Sequence, residues 1–261
     1  MSTIMSTVDI ETLARDLDDA ALGGRTTALP TVSTDLDVPG AYAVQRAAID
    51  RRLARGERLL GLKMGFTSRA KMVQMGVDDV IHGLLTDGMF VEDGGVLDTK
   101  SLIHPRIEPE IAFLLGRPLS GRVTPADAAR AVAGVAVAYE VLDSRYEAFR
   151  FTLPDVIADN ASAAAFGTGP WRDPDALDVG NLGLIVEEDG RPIAVGSSAA
   201  ILGHPLRSLT AAARLAADAG VELEPGSVVL AGAATAAVPL RPGTHVRITA
   251  AGLGRTEVTV R

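Results

Sequence analysis

The sequence predicts an α+β fold with a mixed β-sheet core and an N-terminal helical region. Apolar residues follow helical spacing in the first part of the chain, whereas short apolar and alternating runs typical of strands dominate from Leu59 onward. Few helices interrupt these strands, and regular strand–helix alternation is missing, which argues against a doubly wound sheet. With 261 residues, 47% of them hydrophobic, the chain can bury a substantial core. We predict a helical region over 1–60 and a larger domain over 61–261.

Two helices are predicted within the first region. The stretch VDIETLARDLDDA carries apolar residues at helical spacing, and Ser6 or Thr7 could cap it. A second helix is expected from Gly40 to Gly56. The basic run RRLARGER near its end is interpreted as the solvated face of that helix.

The first strand signals follow directly. LLGLKMGFT is an apolar run that predicts a strand, and SRAKMVQM predicts a short helix that stops at Gly76. MFVEDGGVLD indicates two short strands around an Asp-Gly-Gly turn. PRIEPEIAFLLG predicts the next strand.

The second half of the chain continues the pattern. Thr124 followed by Pro125 is typical of a helix start, and GVAVAYEVLDSR predicts another strand. LGLIVEEDGRPIAVG indicates a hairpin with an Asp-Gly turn, and HPLRSLTAAARLAADAG an amphipathic helix that His204 could cap. SVVLAG, THVRITAAG and RTEVTVR are the last predicted strands.

The composition excludes several classes of function. A net charge of −8 with 4% aromatic residues disfavours nucleic acid and anionic membrane surfaces as partners. The absence of cysteine excludes disulfides, thiolate metal sites and thiol nucleophiles. No glycine-rich nucleotide motif is present. Without a secretory signal or a long apolar segment, we expect a cytoplasmic protein.

A pair of carboxylates is the first candidate for chemistry. Glu108 and Glu110 are two residues apart in a predicted strand, so their side chains point to the same face. Neighbouring carboxylates repel each other unless a cation or a shared proton lies between them. The alternative is that both face water on an edge strand.

A third carboxylate favours the cation. Glu140 lies within the apolar strand GVAVAYEVLDSR, where a lone glutamate needs a partner. Three carboxylates from two strands make an oxygen-rich site that suits Mg²⁺ or Mn²⁺. Asp143 is a competing fourth acid, or the residue that opens the DSR turn.

Basic and small residues supply further candidates. Lys63 is the one lysine in an apolar run, so it either pairs with a carboxylate or lies exposed at a strand end. Arg106 and Arg145 could bind a substrate carboxylate or neutralise the glutamates. Thr235 lies in the small-residue stretch GAATAAVPL, which allows the backbone to approach a ligand.

Several motifs together resemble a known family. PRIEPEIAFLL, YEVLDSR, VIADNAS, LGHPLRSLTAAARLAADAG and GSVVLAGAATAAVPLRPG occur in the order found in the fumarylacetoacetate hydrolase superfamily. They are most similar to its branch of 2-keto-4-pentenoate hydratases and 4-oxalocrotonate decarboxylases. The resemblance implies a β-roll catalytic domain, commonly in a higher oligomer. It also implies Mg²⁺ or Mn²⁺ held by Glu108, Glu110 and Glu140.

The same resemblance implies roles for individual side chains. It places Lys63, Ser162 and Thr235 at the active site, with Asp159 nearby as a further catalytic candidate. Ile81 stands where the resembling hydratases carry an acid. An apolar residue there suits a carboxylate that leaves as CO₂, because a poorly solvated carboxylate is less stable.

The predicted function is therefore metal-dependent decarboxylation of 2-oxo-3-hexenedioate (4-oxalocrotonate) in aromatic meta-cleavage catabolism. One alternative is a 2-hydroxypenta-2,4-dienoate (2-keto-4-pentenoate) hydratase. A second is a non-catalytic partner of a related enzyme. We expect a small 2-oxo acid as substrate, a homo-oligomer, and a possible complex with a homologous hydratase.

Overall fold

Two β-sheets with helices packed around them form the protein in a computed structural model, which describes residues 9–69, 72–73 and 76–261. The described helices are α1 (Ile10–Leu22), α2 (Pro30–Ser33), α3 (Val38–Ala54), α4 (Pro125–Ala131), α5 (Leu153–Ala158) and α6 (Pro205–Asp218). The described strands are β1 (Leu59–Gly65), β2 (Ile81–Thr86), β3 (Val96–Leu97), β4 (Arg106–Leu115), β5 (Val132–Leu142), β6 (Ala163–Thr168), β7 (Gly183–Glu188), β8 (Arg191–Ser197), β9 (Val228–Ala233), β10 (Val238–Pro239), β11 (His245–Ala250) and β12 (Gly254–Val260). The predicted α+β class is confirmed.

The larger sheet has the strand order β2-β1-β9-β4-β5-β6, and β10 also pairs with β4. The smaller sheet has the order β3-β12-β11-β7-β8. Strands β11 and β12 pack against β5, so the main hydrophobic core lies between the sheets. Both sheets are mixed, because β1 and β9 run parallel in one and β3 and β12 in the other.

Strand β4 lies in the middle of its sheet, so the edge-strand alternative for the two glutamates is wrong. The carbonyl of Pro109 accepts a hydrogen bond of 2.9 Å from the N–H of Ala234. A strand residue directs its N and its C=O to the same side. The nitrogen of Pro109 therefore faces residues 234–237. These residues lie between β9 and β10, the two strands that pair with β4 on this side. Proline is tolerated in this central strand because no ladder hydrogen bond is needed there.

The N-terminal helices form a second apolar core. Helix α3 packs on both α1 and α5, and Ile81 and Tyr146 belong to the same apolar cluster. Asp9 caps α1 by accepting a 3.2 Å hydrogen bond from the Thr12 N–H. The predicted caps Ser6 and Thr7 lie outside the described residues.

The basic run at the end of α3 is not a merely solvated face. Asp18 of α1 is 5% exposed. Its Oδ2 forms ion pairs with Arg51 Nε at 2.8 Å and with Arg55 Nη1 at 2.6 Å. The interpretation from sequence was wrong because the other helix supplies a buried carboxylate. These arginines join α1 to α3.

Other predicted elements also differ from the observed ones. MFVEDGGVLD forms no hairpin, because Val96–Leu97 pairs in parallel with the distant β12. Strand β2 was missed because both of its faces are buried and its sequence does not alternate. The predicted helix SRAKMVQM includes residues 70, 71, 74 and 75, which lie outside the described ranges.

Several helix caps and turns were predicted correctly from local sequence motifs. Thr124 caps α4 in a reciprocal arrangement with Asp127, and the β7–β8 hairpin turns at Asp189-Gly190. His204 Nδ1 accepts a 3.1 Å hydrogen bond from the Leu206 N–H, so its predicted capping role is confirmed. None of the helices in the described ranges combines the length and apolar composition needed to cross a bilayer.

Candidate metal centre and active site

The register of β4 and β5 brings three glutamates together. Glu108 pairs directly with Glu140, and Glu110 follows two residues along the same face. One carboxylate oxygen of each lies within 4.8 Å of the others. Their exposed fractions are 8%, 0% and 1%, so the group is buried. We call these three residues the glutamate triad.

The buried position of the triad disfavours the charged forms of Glu110 and Glu140. Burial and the neighbouring charge of Glu140 raise the pKa of Glu110 well above its usual value. Burial also raises the pKa of Glu140, although Lys63 opposes this shift. Oε1 of Glu110 and Oε2 of Glu140 accept no hydrogen bond from any described residue. Unsatisfied buried carboxylate oxygens are the donors that Mg²⁺ and Mn²⁺ prefer, so the residues fit such an ion.

A backbone donor orients one ligand of the triad. The N–H of Gly232 donates a 2.6 Å hydrogen bond to Oε2 of Glu110. Gly232 has a φ of +112°, and a Cβ at this position would overlap Thr67. Only glycine combines this conformation with so close a neighbour.

Lys63 approaches the triad from strand β1, which β9 separates from β4. Its Nζ is 2.8 Å from Oε1 of Glu140 and donates a 3.0 Å hydrogen bond to the carbonyl of Ala161. The side chain is 3% exposed. The alternative of an exposed lysine at a strand end is therefore wrong.

The loop after α5 approaches Lys63 in an unusual conformation. Asn160, Ala161 and Ser162 have φ values of +50°, +50° and +60°. The hydroxyl of Ser162 is buried and makes no hydrogen bond with any described residue. The sequence prediction placed Ser162 near Lys63, and the structure brings both to one cavity.

The triad meets a cavity of about 810 Å³ through Glu108. Five of the residues singled out from sequence line it together with Glu108; these are Lys63, Ile81, Arg106, Ser162 and Thr235. Phe66, Phe151 and Val156 add apolar wall. The guanidinium carbon of Arg106 lies 4.4 Å from the ring centroid of Phe149, which also lines the cavity.

Arg145 and Asp159 are not brought to this cavity. The Nε of Arg145 donates to Asp159 Oδ1, and its Nη1 donates to the carbonyls of Asp143 and Ala163. The backbone N–H of Arg145 also donates to Asp159, at 3.0 Å. Burial raises the pKa of Asp159 to about 6 despite this arginine. The two residues satisfy each other and are not among those that line the cavity.

Asp143 is likewise separate from the triad. Its two carboxylate oxygens accept hydrogen bonds from the N–H groups of Ile103, at 2.9 Å, and His104, at 2.8 Å. Its carboxylate thus fixes the chain that enters β4, and not the DSR turn that it was expected to cap.

Sequence reasoning missed several residues around the cavity. Gly232, Thr67 and Phe149 carry no motif of their own, because their importance follows from close contacts between distant segments. The SVVLAGAAT stretch contained Gly232 inside a predicted strand, and an isolated strand glycine signals a close approach.

The sequence of this chain is similar to those of known proteins over most of its length. The family model described as fumarylacetoacetate (FAA) hydrolase C-terminal matches residues 84–261. A 4-oxalocrotonate decarboxylase from Pseudomonas sp is 55% identical over 245 residues, which is 94% of this chain and 95% of that protein. A 2-hydroxyhexa-2,4-dienoate hydratase from Comamonas testosteroni is 33% identical over 254 residues, covering 95% and 96% of the two chains.

A solved structure is similar over nearly the full length. It is a 4-oxalocrotonate decarboxylase from Pseudomonas putida G7, complexed with magnesium and adipate. It matches with a TM-score of 0.94 and 38% identity, covering 98% of this chain and 100% of that one.

Proposed function

The chain belongs to the fumarylacetoacetate hydrolase family, and we propose that it decarboxylates 2-oxo-3-hexenedioate (4-oxalocrotonate) to 2-hydroxypenta-2,4-dienoate and CO₂. The observation that carries the proposal is the buried glutamate triad, paired with Lys63 at the base of a large cavity. The decarboxylases named above, one of them with bound magnesium, support both the reaction and the cofactor.

The glutamate triad would hold the metal ion, Mg²⁺ or Mn²⁺, through Glu108, Glu110 and Glu140. When bound there, the ion would act as a Lewis acid on the 2-oxo group of the substrate. The N–H of Gly232 engages one oxygen of Glu110, so the other oxygen would be available to hold the ion.

The reaction moves one electron pair through the conjugated chain. The bond between C5 and C6 breaks, and C6 leaves as CO₂. Its electrons form a double bond between C4 and C5, those of the C3–C4 bond shift to C2–C3, and the 2-oxo oxygen takes up the final pair. Protonation of that oxygen gives the 2-hydroxydienoate.

We assign the proton-handling role to Lys63. An ammonium group has three donors, and two of them are directed to Glu140 and Ala161. The third remains for the substrate in the cavity. The unengaged hydroxyl of Ser162 can donate a second hydrogen bond to the bound substrate.

The remaining cavity residues would orient the substrate. Arg106, held over Phe149, offers a bidentate donor for a carboxylate, and Thr235 borders the same space. Ile81 contributes apolar wall, with Phe66 and Val156 nearby in the same cavity. This wall disfavours the charged form of a carboxylate that must leave as CO₂.

Arg145 and Asp159 take a different role in this proposal from the one predicted from sequence. Their mutual hydrogen bonds join the start of the Asn160–Ser162 loop to the end of β5. We propose that they support that loop and do not contact the substrate.

The reaction is tested by incubating the purified protein and Mg²⁺ with 2-oxo-3-hexenedioate and measuring CO₂ and the dienol. A second reaction with 2-hydroxypenta-2,4-dienoate measures water addition. CO₂ release that needs the metal supports the proposal. Hydration without CO₂ release would make the protein a hydratase, in line with its 33% identical relative. No reaction and no Mg²⁺ binding by calorimetry would favour a non-catalytic partner.

The organisation around this activity also remains a proposal. We propose a helical region over 1–60 and a catalytic domain over 61–261, a homo-oligomer in the cytoplasm, and association with a homologous hydratase. Passing the unstable dienol directly to such a hydratase would limit its loss. Light scattering, alone and with the hydratase, measures both kinds of assembly.

A further inference from the structure

The loop 160–162 has three consecutive residues in left-handed backbone geometry, and none of them is glycine. Each such residue is strained unless its surroundings hold it in this conformation. Asparagine tolerates this geometry better than most residues. Something must nevertheless fix Ala161 and Ser162, which have no such tolerance.

The side chain of Asn160 makes two hydrogen bonds to a single residue of β2. Its Oδ1 accepts from the N–H of Leu84 at 2.7 Å, and its Nδ2 donates to the carbonyl of Leu84 at 2.9 Å. Strand β2 is the edge of the larger sheet. The carboxamide thus takes the place of a missing neighbouring strand, and it is 7% exposed.

The loop is also pressed closely against β2. A Cβ on Gly83 would lie 2.5 Å from the carbonyl oxygen of Asn160 and 3.1 Å from Cδ of Lys63. This contact fixes the height of the loop over the sheet. The next carbonyl, that of Ala161, is the one that accepts the 3.0 Å hydrogen bond from Lys63 Nζ.

We propose that Asn160 is a positioning residue that, through Leu84, sets the Ala161 carbonyl and thereby the place of Lys63 Nζ beside Glu140. Asn160 does not line the main cavity and acts only through these neighbours. The proposal rests on the proposed function for its kinetic readout, but the placement of Lys63 can be measured without any substrate.

The first test replaces the carboxamide without adding backbone strain. Asn160→Gly keeps the left-handed geometry accessible and removes both hydrogen bonds. Asn160→Asp keeps an acceptor for the Leu84 N–H but sets a second oxygen against the Leu84 carbonyl. We expect kcat to fall about 100-fold in both, with KM changed much less, because a misplaced catalytic group costs about this much. Asn181→Gly, at the one other asparagine of the chain, is the matched control.

The second readout follows Lys63 directly. The chain has three lysines, Lys63, Lys71 and Lys100, so acylation by an N-hydroxysuccinimide ester can be followed at each by peptide mass spectrometry. We expect Lys63 to react several-fold faster in Asn160→Gly than in the unchanged protein. The rate at the exposed Lys100 should stay constant.

A third variant displaces the loop from the other side. Gly83→Ala should reproduce the fall in kcat and the faster acylation of Lys63, because its methyl group pushes the Asn160 carbonyl away. In the double variant, Gly83→Ala should lower kcat little beyond the effect of Asn160→Gly, since both changes displace the Ala161 carbonyl that holds Lys63.

The outcomes separate the two proposals. Folded variants with kcat within twofold and unchanged Lys63 acylation would overturn the positioning role, as would a loss of activity that only follows the folded fraction in a melting curve. If the unchanged protein shows no decarboxylation, the proposed function fails. Faster Lys63 acylation in the variants would still support the positioning of Lys63 by Asn160.

Discussion

Two buried clusters of charge lie on either side of the 160–162 loop, and they differ in how their polar atoms are satisfied. Around Arg145, the Asp159 carboxylate accepts hydrogen bonds from the side chain and from the backbone N–H, and the carbonyls of Asp143, Ala163 and Asp159 accept three more from the guanidinium. In the glutamate triad, Oε1 of Glu110 and Oε2 of Glu140 accept no hydrogen bond from described residues, and Lys63 Nζ lies 2.8 Å from the other oxygen of Glu140.

The difference teaches how to distinguish a structural ion pair from a reactive one. Burying a charge is tolerable when every donor and acceptor finds a partner, and the result holds segments together. A buried cluster left incomplete is destabilising by itself, so its retention points to a ligand. Both clusters contain acids with a raised pKa, so that shift alone does not separate them.

The largest effect is expected when the triad loses one ligand. Glu110→Gln should lower metal-dependent turnover at least about 1,000-fold, which corresponds to about 4 kcal/mol of lost transition-state stabilisation. The metal-free protein should melt at an equal or higher temperature, because an uncharged amide avoids the cost that burial and the neighbouring carboxylate impose on ionised Glu110. Steady-state kinetics and calorimetric melting check the two halves. A strong loss of stability would mean that the triad is a structural cluster like the other one.

The opposite pattern is expected at the complete cluster. Arg145→Met should lower the free energy of unfolding by about 3–5 kcal/mol, because it leaves Asp159 buried and unpaired. Chemical denaturation measures this change. Arg130→Met is the control, since Arg130 and its partner Asp127 are 67% and 51% exposed and exposed pairs contribute about 0–1 kcal/mol. Equal effects of the two substitutions would contradict the comparison.

A smaller effect should follow from disturbing the orientation of a triad ligand. Gly232→Ala would place a methyl group on Thr67 and displace the N–H that holds Glu110. We expect Mg²⁺ affinity to fall about 10- to 100-fold, as for other partners of metal ligands. Titration calorimetry gives the affinity. Gly226→Ala shares the positive φ, here +91°, without any atom near the new Cβ, and it should bind Mg²⁺ normally.

The smallest effect concerns pH. Because the pKa of Glu110 is raised in the metal-free fold, the folded state keeps a proton that the unfolded chain has lost above about pH 4.3. The stability of the metal-free protein should therefore fall as pH rises from acid to neutral. Bound Mg²⁺ compensates the charge, so the rise in Tm on adding Mg²⁺ should grow with pH. A Tm shift that is constant with pH would show that the triad is already ionised without metal.

The sequence predicted the triad well because its geometry is local. Alternation along one strand puts Glu108 and Glu110 on one face. Glu140 is recognisable because it is the one charged residue within the apolar run GVAVAYEVL. Lys63 was recognised because a lysine among apolar residues needs a partner. Arg145 and Asp159 could not be assigned in this way, since their sequence motifs do not show whether a polar side chain faces the cavity or a neighbouring carbonyl.

Parts of the fold escaped prediction for a related reason. The stretch MFVEDGGVLD has the turn residues of a hairpin, but its second half pairs with β12 near the chain end. The importance of Gly83 and Gly232 depends on Asn160 and Thr67, which approach them only in the folded protein. Periodicity reports the faces of an element and says nothing about which distant segment will cover them.

The pairing of β4 with β5 has a consequence for the order in which the protein folds. All three triad ligands lie on these two strands, which follow each other in the sequence, are joined by residues 116–131 and meet in antiparallel register. Lys63 reaches the site only after β1 has paired with β9, near the other end of the chain. Local pairs form faster than distant ones, because closing a longer loop costs more entropy. We expect pulse-labelled hydrogen exchange to show β4 and β5 protected before β1. The three metal ligands would then come together in the folding chain before Lys63 reaches them.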